Sequence, residues 1–125
     1  MISLEIVLTD GSRFYTQHDG EGFKHRNENR ELKPIEDAKI VEALQKPYSR
    51  IIVFLEDNVV SIGGSDNQVA IFDALTGKSY YANWNRDQIL AAVQLALFGD
   101  EDRPELYEIA EPLFKDCPSE CRFIP

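Results

Sequence analysis

The sequence predicts an α+β fold: a mostly antiparallel sheet of about six strands, ordered as β-hairpin, helix and four-strand meander, with two C-terminal helices packed on it. Three observations carry this. Residues 2–16 alternate apolar and polar about a central Asp10-Gly11. Residues 48–83 hold four strand-like runs, each closed by turn residues. From Asn85 onward the period changes from that of a strand to that of a helix.

Ile2, Leu4, Ile6 and Leu8 share one side of the first strand, opposite Ser3, Glu5, Val7 and Thr9. Asp10-Gly11 is a strong hairpin signal, read as a type I′ turn, and Ser12 to Thr16 returns as the second strand. Residues 18–34 are polar, with Phe23 and Leu32 the clear apolar exceptions, and fit no period. They read as a polar surface loop that covers an edge of the sheet, with nothing to fix the geometry of His18 and His25. Residues 35–46 read as a helix, with Pro34 before it, Glu36 and Asp37 at its positive end, and Ile40, Val41 and Leu44 as the buried stripe beside Ala38. Pro47 stops it.

The meander begins at Ile51-Ile52-Val53-Phe54-Leu55, an unbroken apolar run expected to be buried on both faces. Its strands are expected over 50–56, 59–62, 68–73 and 79–82, with short turns that make neighbours pair antiparallel. Asn85 with Gln88 forms a capping-box pattern and Gly99 closes the far end of a helix apolar nearly all round, so that helix is buried on more than one side. Trp84 plugs an end of the core. Asp102 with Glu105 resembles a second capping box, and Leu106, Ile109, Ala110, Leu113 and Phe114 keep helical spacing to about residue 115. Pro112 predicts a kink or break near Glu111. Residues 117–125 read as an irregular tail.

The 125 residues, 43% hydrophobic, suit a single domain, 1–125, with one core. No apolar run approaches the roughly eighteen residues of a membrane span. Met1-Ile2-Ser3-Leu4-Glu5 lacks the basic start and apolar stretch of a signal peptide, so the expected location is cytoplasmic, with no membrane partner. Cys117 and Cys121 cannot form a disulfide framework; they read as structural or incidental thiols, with a local disulfide or metal ligation as the alternatives.

The net charge is −9, and residues 99–120 carry most of it: eight acids against Arg103 and Lys115. Such a face repels nucleic acid and steers a basic protein. No motif for catalysis, for a metal or for a cofactor stands out. His18 and His25 with Asp19 and Glu21 read as solvated loop residues rather than ligands. Gly63-Gly64-Ser65 leads into a strand, so it is a bulge or turn and not a phosphate loop.

The succession KPYSR, IIVFLE, VVSIGG, QVAIFDALTGKSYYAN over residues 35–83 resembles the small bacterial immunity proteins that neutralise polymorphic or contact-dependent toxins. The resemblance implies a non-catalytic protein that binds and blocks a toxin domain, often basic and often a nuclease. The acids expected to steer such a partner are Asp100, Glu101, Asp102 and Glu105, then Asp57 and Asp66 in sheet turns. Two other readings stand beside it: a small-molecule-binding domain or small enzyme with a pocket between the sheet and the 18–34 loop, and a structural or regulatory domain. The sequence leaves the oligomeric state open.

Overall fold

The structure is a computed structural model. It describes residues 2–18, 20–26, 29–56, 58–63, 68–73, 76–99 and 103–116, with side chains in the last segment as far as Glu111. The fold is α+β. In chain order the elements are β1 (Ile2–Leu8), β2 (Arg13–His18), β3 (Phe23–Arg26), β4 (Leu32–Pro34), α1 (Asp37–Leu44), β5 (Tyr48–Phe54), β6 (Asn58–Gly63), β7 (Gln68–Asp73), β8 (Lys78–Asn83), α2 (Arg86–Phe98) and α3 (Pro104–Asp116). The strands form one antiparallel sheet of eight, in the order β4-β3-β2-β1-β5-β6-β7-β8.

The amino-terminal hairpin forms, with a different turn. Gly11 has φ 90°, but Asp10 is not among the residues at positive φ, so the type I′ geometry is absent. Gly11 N–H donates to Leu8 O at 3.0 Å and Leu8 N–H to Ser12 O at 2.8 Å, the pattern of a type I turn followed by a glycine bulge. Asp10 suits this because its carboxylate accepts from both the backbone N–H and the hydroxyl of Ser12, which holds its pKa below the ordinary 3.8.

The segment expected to be a loop is the largest departure. Residues 23–26 and 32–34 are strands, and the sheet gains two members there. Their polarity hid them: Phe23 is the one buried residue of β3, and β4 is exposed throughout. What holds β3 is the ladder itself, Thr16 opposite His25 and His18 opposite Phe23. Thr16, buried on the same face, donates its hydroxyl to Lys24 O at 2.8 Å. Both histidines are fixed rather than loose. His25 stacks on Phe14 at 5.1 Å with Nδ1 3.1 Å from Tyr15 O, and His18 meets the Phe23 ring edge-on at 4.9 Å while its Nδ1 accepts from Gly20 N–H.

After β4 the chain crosses back through α1 to place β5 beside β1. Ile40, Ala43 and Leu44 are the buried residues of α1, and Ala38 is exposed. The meander then runs outward, β5 to β8, in unbroken antiparallel register. Leu4 and Ile6 of β1, Ile51 and Val53 of β5, Val60 and Ile62 of β6, and Val69 and Ile71 of β7 lie opposite one another across the sheet. They are all buried, in one cluster with the inward residues of the helices.

That cluster occupies one face. On the other face Phe54, Phe72 and Tyr81 are 37%, 43% and 70% exposed, so the run Ile51–Leu55 is buried on one side only. The expectation of burial on both faces fails because all the buried helical residues join the cluster on the opposite side.

The α2 helix starts as expected. The Asn85 side chain accepts from Gln88 N–H at 2.8 Å, and Gln88 Oε1 accepts from Asn85 N–H. Eight of its 13 residues are buried, so it is covered by the sheet on one side and meets α3 on another. At its end Gly99, φ 85°, closes onto Leu95 O, and Arg103 donates to the carbonyls of Phe98 and Gly99. The α3 helix continues past Pro112 to Asp116 instead of breaking. Proline removes the bond to the Glu108 carbonyl, but only about one turn follows it, so little helix depends on that bond.

Two substitutions test this packing. Leu95, 1% exposed between sheet and α3, leaves a cavity as Leu95→Ala, and urea denaturation should show a loss of about 2–5 kcal/mol. Gly11→Ala meets no neighbouring atom, so its loss of about 1–2 kcal/mol should reflect backbone strain alone.

Candidate functional site

The amino end of α2 and the carboxyl end of α1 are tied together by one side chain. Arg86 donates to Gln45 O at 3.1 Å and Lys46 O at 3.4 Å, where the last carbonyls of α1 lack helical partners, and its guanidinium lies 5.3 Å from the Tyr48 ring centre. Neither α1 nor α2 has a basic residue in its own last turn. Arg86 and Arg103 supply from neighbouring segments the cations that those negative ends favour.

This junction forms one end of a groove between α2 and α3, of about 430 Å³. Leu90 and Ala91 of α2 and Leu106 and Ile109 of α3 give it apolar walls. Gln45, Asn85, Gln88 and Gln94 supply carboxamides, and among the described residues Asp87 is the one ionisable group in the lining. The amides of Asn85 and Gln88 are partly engaged in the helix cap. The arrangement suits a long side chain with an apolar stem and a cationic end: the stem lies along Leu90, Leu106 and Ile109, and the charge meets Asp87. Ile109 in the wall is 42% exposed; elsewhere on α3, Glu105, Tyr107 and Glu108 are exposed.

Of the acids singled out from the sequence, Glu105 stands exposed in the first turn of α3, next to this groove. Asp57, Asp66, Asp100, Glu101 and Asp102 lie outside the described residues, as do Cys117 and Cys121. The pocket expected between the sheet and residues 18–34 has no loop to form it, because that segment enters the sheet as β3 and β4. Sequence reasoning missed Asp87, Gln94 and Ile109 as groove residues. A signal existed for the first two: they are seven residues apart, hence on one face of a helix otherwise nearly all apolar.

Among the described residues no group of three or more His, Cys, Asp or Glu is placed to hold a metal ion, and no helix is long and apolar enough to cross a membrane. Comparison with protein-family models, with curated proteins and with solved structures returned no match to this chain.

Tyr48 beneath Arg86 yields a pH prediction. Its hydroxyl is buried without a hydrogen-bond partner among the described residues. Burial raises its pKa above the ordinary 10.0, with the Arg86 charge opposing. A phenol whose folded pKa is raised favours the fold while protonated. That contribution is intact below about pH 10 and is lost as pH rises through the folded pKa. Tyr48→Phe should therefore match or exceed the parent's stability at pH 7, by up to about 1 kcal/mol, and should flatten the alkaline decline in melting temperature.

Proposed function

We propose that this chain is a non-catalytic binding domain that docks a basic partner protein on its helical layer, in the manner of an immunity protein blocking a toxin domain. The observation that carries the reading is the α2–α3 groove, where Asp87 is the one ionisable lining residue among the described residues, with the exposed Ile109 in its wall and the exposed Glu105 in the first turn of α3. Stable interfaces concentrate their energy in a few desolvated aromatic or aliphatic anchors inside a polar rim, and this surface has both parts. Leu106 and Ile109 supply the anchors. The acids of α3 and of the connector before it supply long-range attraction, in keeping with a chain of net charge −9. The likeness of residues 35–83 to toxin-neutralising immunity proteins supports a toxin as the partner.

A second reading rests on the same groove. Its volume lies in the range of small-ligand sites, and its carboxamides could orient a polar ligand carrying a cation.

The test is binding to the product of the adjacent gene, if that product is basic, followed by stopped-flow kinetics. Charge removal at Asp100, Glu101, Asp102 and Glu105, to Asn or Gln, should slow association about tenfold at low salt and flatten its salt dependence. Ile109→Ala and Asp87→Asn should chiefly speed dissociation, by about tenfold or more. Association and dissociation unaffected by both sets would remove the helical layer from the interface.

A further inference from the structure

The two edges of the sheet are built differently. At one edge, β4 is three residues long, ends in Pro34, which has no N–H to offer, and carries Lys33. At the other, β8 runs six residues, Lys78–Asn83, without proline. Its ladder to β7 runs continuously from Gln68 opposite Asn83 to Asp73 opposite Lys78. Among the described residues no strand lies beyond it, and past Lys78 at its start the strand has no charge or proline to guard its outer row of backbone donors and acceptors.

The charge distribution around that edge is unusual for this chain. On the open face of the sheet, charged side chains lie on β1, β2, β3 and β5: Glu5, which pairs with Arg13 at 2.8 Å, then Lys24, Arg26 and Arg50. The open-face positions of β6 to β8 carry none: Val59, Ser61 and Gly63, then Gln68, Ala70 and Phe72, then Ser79, Tyr81 and Asn83. In a chain that is 28% charged, with net charge −9, this is a region where two identical molecules can meet without repulsion. The nearest charge among the described open-face residues is the Arg50 guanidinium, which reaches β6 and donates from Nε to Ser61 Oγ at 3.0 Å, two strands from the β8 edge.

We infer that β8 is a self-association edge, at which a second copy of this chain pairs antiparallel so that the two sheets continue as one. The pleat restricts the register. Residues opposite each other must point to the same face, so the two-fold axis passes through Tyr80 or Tyr81. The axis at Tyr81 is favoured. It sets Tyr81, 70% exposed in the single chain, against its own copy, Ser79 against Asn83 and Tyr80 against Ala82, and it leaves Lys78 outside this uncharged stretch. The axis stands perpendicular to the sheet, so both helical layers fall on the same side and both α2–α3 grooves remain open.

Sedimentation velocity of the full chain over a wide concentration range, with chemical cross-linking, tests this. The parent should shift from 14.3 kDa toward twice that mass as concentration rises. Tyr81→Lys sets like charges face to face and should raise the dimer dissociation constant at least tenfold, while the exposed position keeps the fold intact by circular dichroism. In a background with Cys117 and Cys121 changed to Ser, Tyr81→Cys should oxidise readily to a covalent dimer, because directly opposed residues of an antiparallel pair have Cα atoms about 4.5–5.5 Å apart, within disulfide reach. Ser79→Cys, which faces Asn83 and not itself, should not. A parent that stays monomeric throughout, a dimer indifferent to Tyr81→Lys, or equal cross-linking at positions 79 and 81 would overturn the inference.

Discussion

Everything in this fold is arranged around the need to cover α2 on more than one side. Ile89, Leu90, Ala91, Ala92, Val93, Leu95, Ala96 and Leu97 are all buried, and they encircle most of the helix. A single sheet can shield only one side of such a cylinder. The residues of β1, β5, β6 and β7 do that, and α3 is recruited to another side through Leu106 and Ala110. The result is layered: a sheet, α2 upon it, and α3 upon α2. Small side chains at Ala91, Ala92 and Ala96 let the neighbouring elements approach closely, while Leu95 and Val93 supply bulk.

Placing the helices on one face leaves the other uncovered. The sheet is therefore one-sided, and its polar–apolar alternation should be regular. It is regular in β1, where Leu4 and Ile6 alternate with Ser3, Glu5 and Val7. It fails in β5 and β7, where Phe54 and Phe72 stand toward solvent. Apolar residues on the open sheet face contribute only through the part of their surface that neighbouring side chains already cover, and the rest contributes when something else covers it.

The same layering creates the α2–α3 groove. The groove lies between the two helices, and its lining takes in the polar first turn of α2 as well as Leu106 and Ile109 of α3. Arg86 clamps the end of α1 there through backbone carbonyls, so the floor of the groove is held by hydrogen bonds as well as by apolar packing.

Local rules determined a good part of this structure. The alternation of Ile2 to Leu8, the position though not the type of the turn after it, the cap formed by Asn85 and Gln88, the closure at Gly99 and the four runs of the meander were legible, because each depends on residues within one or two turns of one another. Tertiary structure alone decided the rest. β3 and β4 exist because β2 presents an edge to pair with, and nothing in their own composition asks for a strand. Phe54 is exposed because every helix went to the opposite face, a choice no single strand encodes. The groove was invisible because Asp87 and Gln94 belong to one helix and Ile109 to another, and only the docking of α3 on α2 brings them together. Sequence speaks clearly about contacts between near neighbours; contacts across dozens of residues are set by which surfaces remain to be buried once the local elements have formed.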